Sequence, residues 1–219
     1  MGGYVRMKNE TKRITMIGML TAMAVAVTLL VRFPLVPAVS FLQYDPKDIV
    51  IMIGGFLLGP VSGAVISCLA SLIELLFKGG TVIDVVMNIV STCSFVCPAA
   101  YVYKKRHTRK GALQGLVTGV LCNVLVMLLW NYVMTPIYFG MPREAVVPML
   151  GWIALFNFLK AGINSIIVFL IYKPVARALR LMTNEDKETE KEKKLAHVLL
   201  ACFIAVCVLI FGLSLFHII

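Results

Sequence analysis

The sequence predicts an all-α membrane protein with six membrane-spanning helices and a seventh, C-terminal apolar helix. Its 219 residues are 60% hydrophobic and only 15% charged, whereas soluble domains are about 45–50% apolar and about 25% charged. The apolar residues form long runs, most of them close to the ~20 residues that a helix needs to cross a bilayer. The charged residues are gathered between those runs, as in a chain that crosses lipid several times.

The first apolar run, 14–31, is longer than the apolar part of a secretory signal, and no A-x-A-like cleavage site precedes a mature domain. We therefore expect it to remain as the first span. The later runs 83–103, 112–135 and 151–172 each have the length of one further helix.

The run 49–77 decides the topology, because it is too long for one upright helix and short for two full ones. Near its middle lies Gly59-Pro60, a strong helix-breaking pair. A single span would place the basic loop 104–110 and the basic linker 174–194 outside the cell, against the positive-inside rule. A hairpin at Gly59-Pro60 places both inside, so the sequence predicts two short helices there.

The chain is thus predicted to have three parts. Residues 1–178 form a six-span membrane core, 179–194 a charged cytoplasmic linker, and 195–219 an additional apolar helix over the run 195–216. The protein is expected in the cell membrane as a multi-pass protein with a cytoplasmic N-terminus.

The net charge of +10 does not indicate nucleic-acid binding, because the basic residues flank apolar runs and act there as topology signals and anchors for anionic lipid. All six cysteines lie inside apolar runs and none forms C-x-x-C, so neither a disulfide nor a metal site is predicted. The sequence contains no G-x-x-x-x-G-K-[ST] motif, so ATP hydrolysis by this chain is not predicted.

Lys160 is the strongest candidate functional residue, because it lies well inside the span 151–172 and charged groups in spans are costly. Asn157 and Asn164 share its helix face, at the spacing i, i+3, i+7. The lysine could hold a solute, form a structural ion pair with Glu74, or extend its amine toward the membrane surface.

Glu74, Asn88 and Asn131 lie near the outer ends of their spans in this topology. Together with Lys160, polar side chains from four spans converge on the outer leaflet. Amides offer donors and acceptors, so the set suits a neutral heterocycle or a polyol and suits a metal ion poorly. Asn123, nearer a span centre, is equally well explained by a helix–helix hydrogen bond.

The outer loop 33–48 is long, aromatic and stiffened by prolines. It is either a mobile lid over an outward-facing pocket or part of an interfacial aromatic belt.

Two small-residue patterns allow close helix approach. Ala22 and Ala26 form A-x-x-x-A in the first span, and Gly115 and Gly119 form G-x-x-x-G in the fifth. Either pair could serve internal packing or contact with a partner protein.

Seven motifs occur in order within residues 10–178: Tyr44-Asp45-Pro46-Lys47-Asp48-Ile49, Gly54-Gly55-Phe56-Leu57-Leu58-Gly59-Pro60, Ser71-Leu72-Ile73-Glu74, Leu129-Trp130-Asn131-Tyr132, Thr135-Pro136, Pro142-Arg143-Glu144-Ala145-Val146 and Phe156-Asn157-Phe158-Leu159-Lys160-Ala161-Gly162-Ile163-Asn164. In these motifs the chain resembles the riboflavin-specific S component of energy-coupling-factor (ECF) importers.

The resemblance implies a six-helix S-component bundle that captures riboflavin from outside and has no catalytic activity or cofactor of its own. A membrane T component and two cytoplasmic ATPases would supply the energy. The seventh apolar run departs from this six-helix pattern.

The resemblance also implies roles for particular residues. Hydrogen bonds to the flavin or its ribityl chain would come from Asn131, Lys160 and Asn164. The loop around Leu42, Gln43 and Tyr44 would close the pocket, and Asn157, Glu74 and Asn88 are further candidates for substrate contact. On the first helix, Ala22 and Ala26 match the small residues that contact the T component.

Two other functions stay open at this point. One is an intramembrane enzyme using Lys160 and Glu74 as base and acid, although the surrounding amides are poor proton-transfer groups. The other is an autonomous facilitator for another vitamin.

Overall fold

The computed structural model describes residues 10–183, which form a bundle of helices with one short β-hairpin, so the predicted all-α membrane bundle is confirmed. The predicted apolar helix 195–216 lies outside the described residues. The helices are α1 (Glu10–Leu30), α2 (Lys47–Leu58), α3 (Pro60–Lys78), α4 (Val82–Arg106), α5 (Arg109–Phe139), α6 (Arg143–Val146) and α7 (Leu150–Thr183), and the strands are β1 (Phe33–Pro34) and β2 (Gln43–Tyr44).

Five of these helices (α1, α3, α4, α5 and α7) are long and apolar enough to cross a membrane. The remaining predicted span is α2, which has 12 residues and is shorter than the ~20 that a full crossing needs. Its hairpin with α3 turns where the sequence predicts. Gly59 has φ 94°, a conformation that favours glycine, and Pro60 begins α3, where a missing N–H costs little.

The short helix α2 lies in the centre of the bundle. All of its residues are buried, and it packs among α1, α3, α4 and α7. Polar side chains at its beginning are therefore enclosed by protein and removed from lipid.

The G-x-x-x-G pattern of α5 serves packing inside the molecule. A Cβ added at Gly115 would lie 2.6 Å from the carbonyl oxygen of Ala99, and one added at Gly119 would lie 2.5 Å from that of Phe95. The two glycines therefore let the backbones of α4 and α5 meet. Ala22 and Ala26 instead lie exposed on the outside of α1.

The loop between α1 and α2 folds over one end of the bundle, which we call the loop end. Strands β1 and β2 pair in antiparallel register. Between them Val36, Val39 and Leu42 are buried against Ile153 and Phe156 of α7. The loop is therefore a packed cap on the bundle.

The opposite end, at the Gly59 turn and the α4–α5 turn, we call the turn end. Its basic side chains include Lys12, Arg13, Lys104, Lys105, Arg106, Arg109, Lys110 and Lys173, whereas those at the loop end are Arg32, Lys47, Lys78 and Arg143. This asymmetry is the one that the positive-inside rule associates with membrane orientation.

Candidate solute-binding site

A cavity of about 340 Å³ lies beneath the capping loop, between α3, α4 and α7; we call it the polar cavity. It brings together these residues predicted from the sequence: Leu42, Gln43, Glu74, Asn88, Asn157 and Lys160. Seven polar residues that the sequence analysis did not name as site residues also line it: Arg32, Asp45, Ser71, Lys78, Asp84, Ser91 and Tyr138.

A second cavity of about 190 Å³ is lined by Trp130, Asn131, Met134 and Phe139 among others; we call it the aromatic cavity. Both cavities share Phe41, Asp84, Met87 and Tyr138 in their walls. The two spaces therefore adjoin, and a ligand that filled both would meet aromatic rings in one and charged groups in the other.

The amide of Asn131 is held in place by its own helix. Its Nδ2 donates to the Met127 carbonyl at 2.8 Å, and its Oδ1 accepts from Thr135 Oγ1 at 3.0 Å. Asn157 donates in the same way to the Ile153 carbonyl at 2.8 Å. Each amide keeps one further N–H and acceptor capacity for a ligand.

Lys160 is paired with two carboxylates. Its Nζ lies 3.5 Å from Asp45 Oδ2 and 3.5 Å from Asp48 Oδ2. The alternative of a Lys160–Glu74 ion pair was wrong, because Glu74 is bound by other lysines. The remaining oxygen of Asp48 accepts a hydrogen bond from Thr92 at 2.7 Å.

Lys47 is the partner of Glu74, and its side chain is only 1% exposed. Its Nζ lies 3.0 and 3.1 Å from the two Glu74 oxygens and 3.3 Å from Asn88 Oδ1. Lys78 approaches Glu74 at 3.7 Å. An acid–base mechanism using Lys160 and Glu74 loses its premise, because the two residues belong to separate pairs.

Tyr44 and Asn164 contact each other: the phenol O–H donates to Asn164 Oδ1 at 2.8 Å. Both are buried, and the structure does not bring either into the walls of the two cavities. Their contact with a ligand stays a prediction.

Burial and nearby charge fix the protonation of two loop residues. Burial, with Asp48, raises the pKa of Tyr44 to about 12, so the phenol keeps its proton. Burial would raise the pKa of Asp45, but the positive charges of Lys160 and Lys47 outweigh it and hold that pKa below its ordinary value. Asp45 is therefore an ionised hydrogen-bond acceptor.

Asp45, Lys47 and Asp48 were missed as site residues because they precede an apolar run and resemble ordinary surface charges. What buries them is the central position of α2 and the packing of the loop. Asn123, by contrast, makes the helix–helix hydrogen bond that was one of its two explanations, since Nδ2 donates to the Ser91 carbonyl at 2.8 Å.

Comparison with known proteins places these features in a family. The family described as ECF transporter, substrate-specific component matches residues 12–172. The chain is 28% identical over 179 residues to the riboflavin transporter RibU of Staphylococcus aureus (strain TCH60), covering 78% of this chain and 94% of that protein.

Two further similarities agree with this match. The riboflavin transporter RibU of Lactococcus lactis subsp. cremoris (strain NZ9000) is 33% identical over 135 residues, which cover 59% of this chain and 66% of that protein. The fold resembles a solved S component of a bacterial ECF transporter with a TM-score of 0.68 and 28% identity, covering 78% of this chain and 99% of that one.

Proposed function

The chain belongs to the family of substrate-specific components of ECF transporters, and on that premise we propose that it is the riboflavin-binding subunit of a vitamin importer. The observation that carries the proposal is the pair of adjoining cavities at the loop end. Riboflavin joins a flat aromatic ring system, with alternating N–H and C=O groups, to a chain of hydroxyls. A pocket with one aromatic and one polar compartment suits that shape and chemistry.

The polar residues provide the hydrogen bonds that such a ligand requires. Asn131 supplies an amide beside Trp130 in the aromatic cavity, and Lys160 and Asn157 supply donors and an acceptor in the polar cavity. We propose the loop around Leu42 and Gln43 as the cover of the pocket, because both residues line the polar cavity from above.

We propose that the loop end faces outward and that the N-terminus is cytoplasmic, because this places the basic turn end inside the cell. The energy for import would come from a membrane T component and two ATPases, the partners that family membership implies. Ala22 and Ala26 are exposed on α1 and are available there for contact with the T component.

A flavin titration of the purified protein tests the proposal. We expect the wild type to quench riboflavin fluorescence on binding. Asn131→Ala and Lys160→Ala should each weaken binding by about 1–3 kcal/mol, since each substitution would leave a buried polar group of the ligand without its hydrogen-bond partner.

Asn123→Ala is the matched control, because it removes a buried amide from the same helix but from outside both cavities. It should bind riboflavin as the wild type does. A wild-type protein that binds no flavin would refute the proposed function, and wild-type affinity in both pocket variants would refute the pocket.

A further inference from the structure

Some buried polar atoms of the described residues have no hydrogen-bond partner: Asp45 Oδ1, Ser67 Oγ, Ser71 Oγ, Asn164 Nδ2 and Ser165 Oγ. Leaving such a group unpaired is unfavourable, and nearly all buried polar groups in proteins are paired. Asp45 and Ser71 differ from the other three residues because both line the polar cavity.

Ser71 differs from the paired hydroxyls of the bundle helices. Thr21 and Thr28 on α1 donate to the carbonyl four residues before them, each at 2.8 Å, as buried hydroxyls in helices commonly do. The Ser71 hydroxyl makes no such bond, although its residue is 2% exposed. Its donor and acceptor capacity is therefore available to a molecule in the cavity.

Asp45 also has a buried oxygen without a hydrogen-bond partner, and its carboxylate is charged. Its Oδ2 lies 3.5 Å from Lys160 Nζ, while its Oδ1 accepts no hydrogen bond. An ionised carboxylate can accept about four hydrogen bonds, so most of its capacity is unused. The terminal torsion of an aspartate is soft, and a small rotation turns the unpaired oxygen toward a ligand.

We propose that Asp45 and Ser71 form the subsite for the ligand's hydroxyl groups, with Asp45 accepting from neighbouring hydroxyls of a polyol chain and Ser71 bonding to the same chain. The inference rests on the proposed function and names the part of the flavin that these residues recognise. The charged walls contributed by Arg32, Glu74 and Lys78 suit hydroxyls, whereas the rings of the aromatic cavity suit the flat end of the ligand.

Specificity for the polyol chain follows from this arrangement. Lumiflavin keeps the ring system of riboflavin but carries a methyl group in place of the ribityl chain. It can fill the aromatic cavity, yet it leaves the subsite of Asp45 and Ser71 empty. The protein should therefore bind riboflavin more tightly than lumiflavin, and these two residues should account for much of the difference.

The test measures both flavins on the purified protein, riboflavin directly and lumiflavin by competition. Asp45→Asn and Ser71→Ala should each weaken riboflavin binding by about tenfold, the loss expected when one good hydrogen bond is removed. Lumiflavin binding should change by less than about threefold. Melting temperatures report whether each variant is folded, and the two variants test the subsite independently.

Asp48→Asn is the control for Asp45, because Asp48 also lies 3.5 Å from Lys160 but does not line the cavity. If Asp48→Asn weakens binding only by disturbing Lys160, the affinities for riboflavin and lumiflavin should fall by the same factor. Ser67→Ala is the control for Ser71, since its hydroxyl is buried and unpaired one turn earlier but away from the cavity. It should leave both affinities unchanged.

Equal effects of Asp45→Asn and Ser71→Ala on the two flavins would overturn the subsite, and so would a wild type that binds lumiflavin as tightly as riboflavin. A wild type that binds neither flavin would overturn the proposed function itself. Loss of riboflavin selectivity in both variants, with both controls as expected, would establish the subsite.

Discussion

Each buried lysine at the loop end has its own carboxylate partners. Lys160 lies between Asp45 and Asp48, and Lys47 lies against Glu74. Because these charges are already compensated by protein groups, the cavity does not require a charged ligand to balance it. This agrees with riboflavin, which is neutral. Lys160 holds the loop through Asp45, and in the proposed function it is also a donor to the ligand.

The depressed pKa of Asp45 makes the stability of the loop end depend on pH. Its ordinary value is 3.8 and its value in the folded protein is lower. The ion pair therefore contributes its full stability above about pH 5, and the contribution is lost as the pH falls through the folded pKa. We expect the gap in melting temperature between wild type and Asp45→Asn to narrow on acidification from pH 6 to pH 3.

The matched variant is Lys160→Met, which removes the positive charge that lowers the pKa of Asp45 the most. Burial then raises that pKa relative to the wild type, so acid should cost this variant less stability. A difference in melting temperature between wild type and Asp45→Asn that stays constant from pH 6 to pH 3 would contradict the depressed pKa of Asp45.

At the residue scale, the sequence identified Lys160 and its two asparagines because helical spacing alone places them on one face. It could not identify the partners of Lys160. Asp45 and Asp48 stand at the end of a loop and the start of α2, where burial depends on how the whole bundle packs. For the same reason the sequence did not indicate that Lys47 is buried.

Among the elements, the α2–α3 hairpin was predictable because two independent signals agreed. Gly59-Pro60 breaks a helix locally, and the positive-inside rule requires an even number of crossings there. The sequence did not indicate that α2 would be the central helix, since its apolar residues are as suitable for lipid as for protein. The helix ends were also imprecise: α5 runs over Arg109–Phe139 and α7 to Thr183, beyond the predicted runs.

The contact between α4 and α5 yields a stability prediction. In Gly119→Ala the new Cβ would lie 2.5 Å from the Phe95 carbonyl oxygen, which is backbone and cannot move aside easily. We expect the two helices to be forced apart, at a cost of about 1–3 kcal/mol. A lower melting temperature in detergent would show it.

Gly162→Ala is the control, since a Cβ at that position on α7 meets nothing within 4 Å. It should leave stability unchanged or raise it by up to about 1 kcal/mol, because alanine favours the helix. Equal melting temperatures for Gly119→Ala and Gly162→Ala would show that the α4–α5 contact is looser than described.

Over the whole molecule, the two ends of the bundle differ in packing as well as in charge. The loop end holds both cavities. Toward the turn end, aromatic side chains fill the space between α2, α4 and α7: Phe56 stacks on Tyr103 with ring centres 4.4 Å apart, and Tyr172 meets both rings edge-on at 5.9 Å. The solute site is thus built at one end of the molecule, and aromatic side chains pack between the helices toward the other end.

The orientation of these ends in the membrane can be measured with reporter fusions. Alkaline phosphatase, which is active outside the cytoplasm, should be active when fused after Gly80 or Gly140 and inactive after Lys110. A green fluorescent protein, which fluoresces in the cytoplasm, should give the reverse pattern. The physical reason is the basic cluster at the α4–α5 turn, formed by Lys104, Lys105, Arg106, Arg109 and Lys110, which resists translocation.

Replacing that cluster by glutamines should weaken the preference for the cytoplasm, so the phosphatase fused after residue 110 should gain activity. The inverted pattern in the unaltered protein would place the cavities on the cytoplasmic side. The chain could then not capture its ligand from outside, even if it bound riboflavin in solution. Binding and orientation therefore have to be established separately, because the pocket geometry determines the first and the distribution of basic charge determines the second.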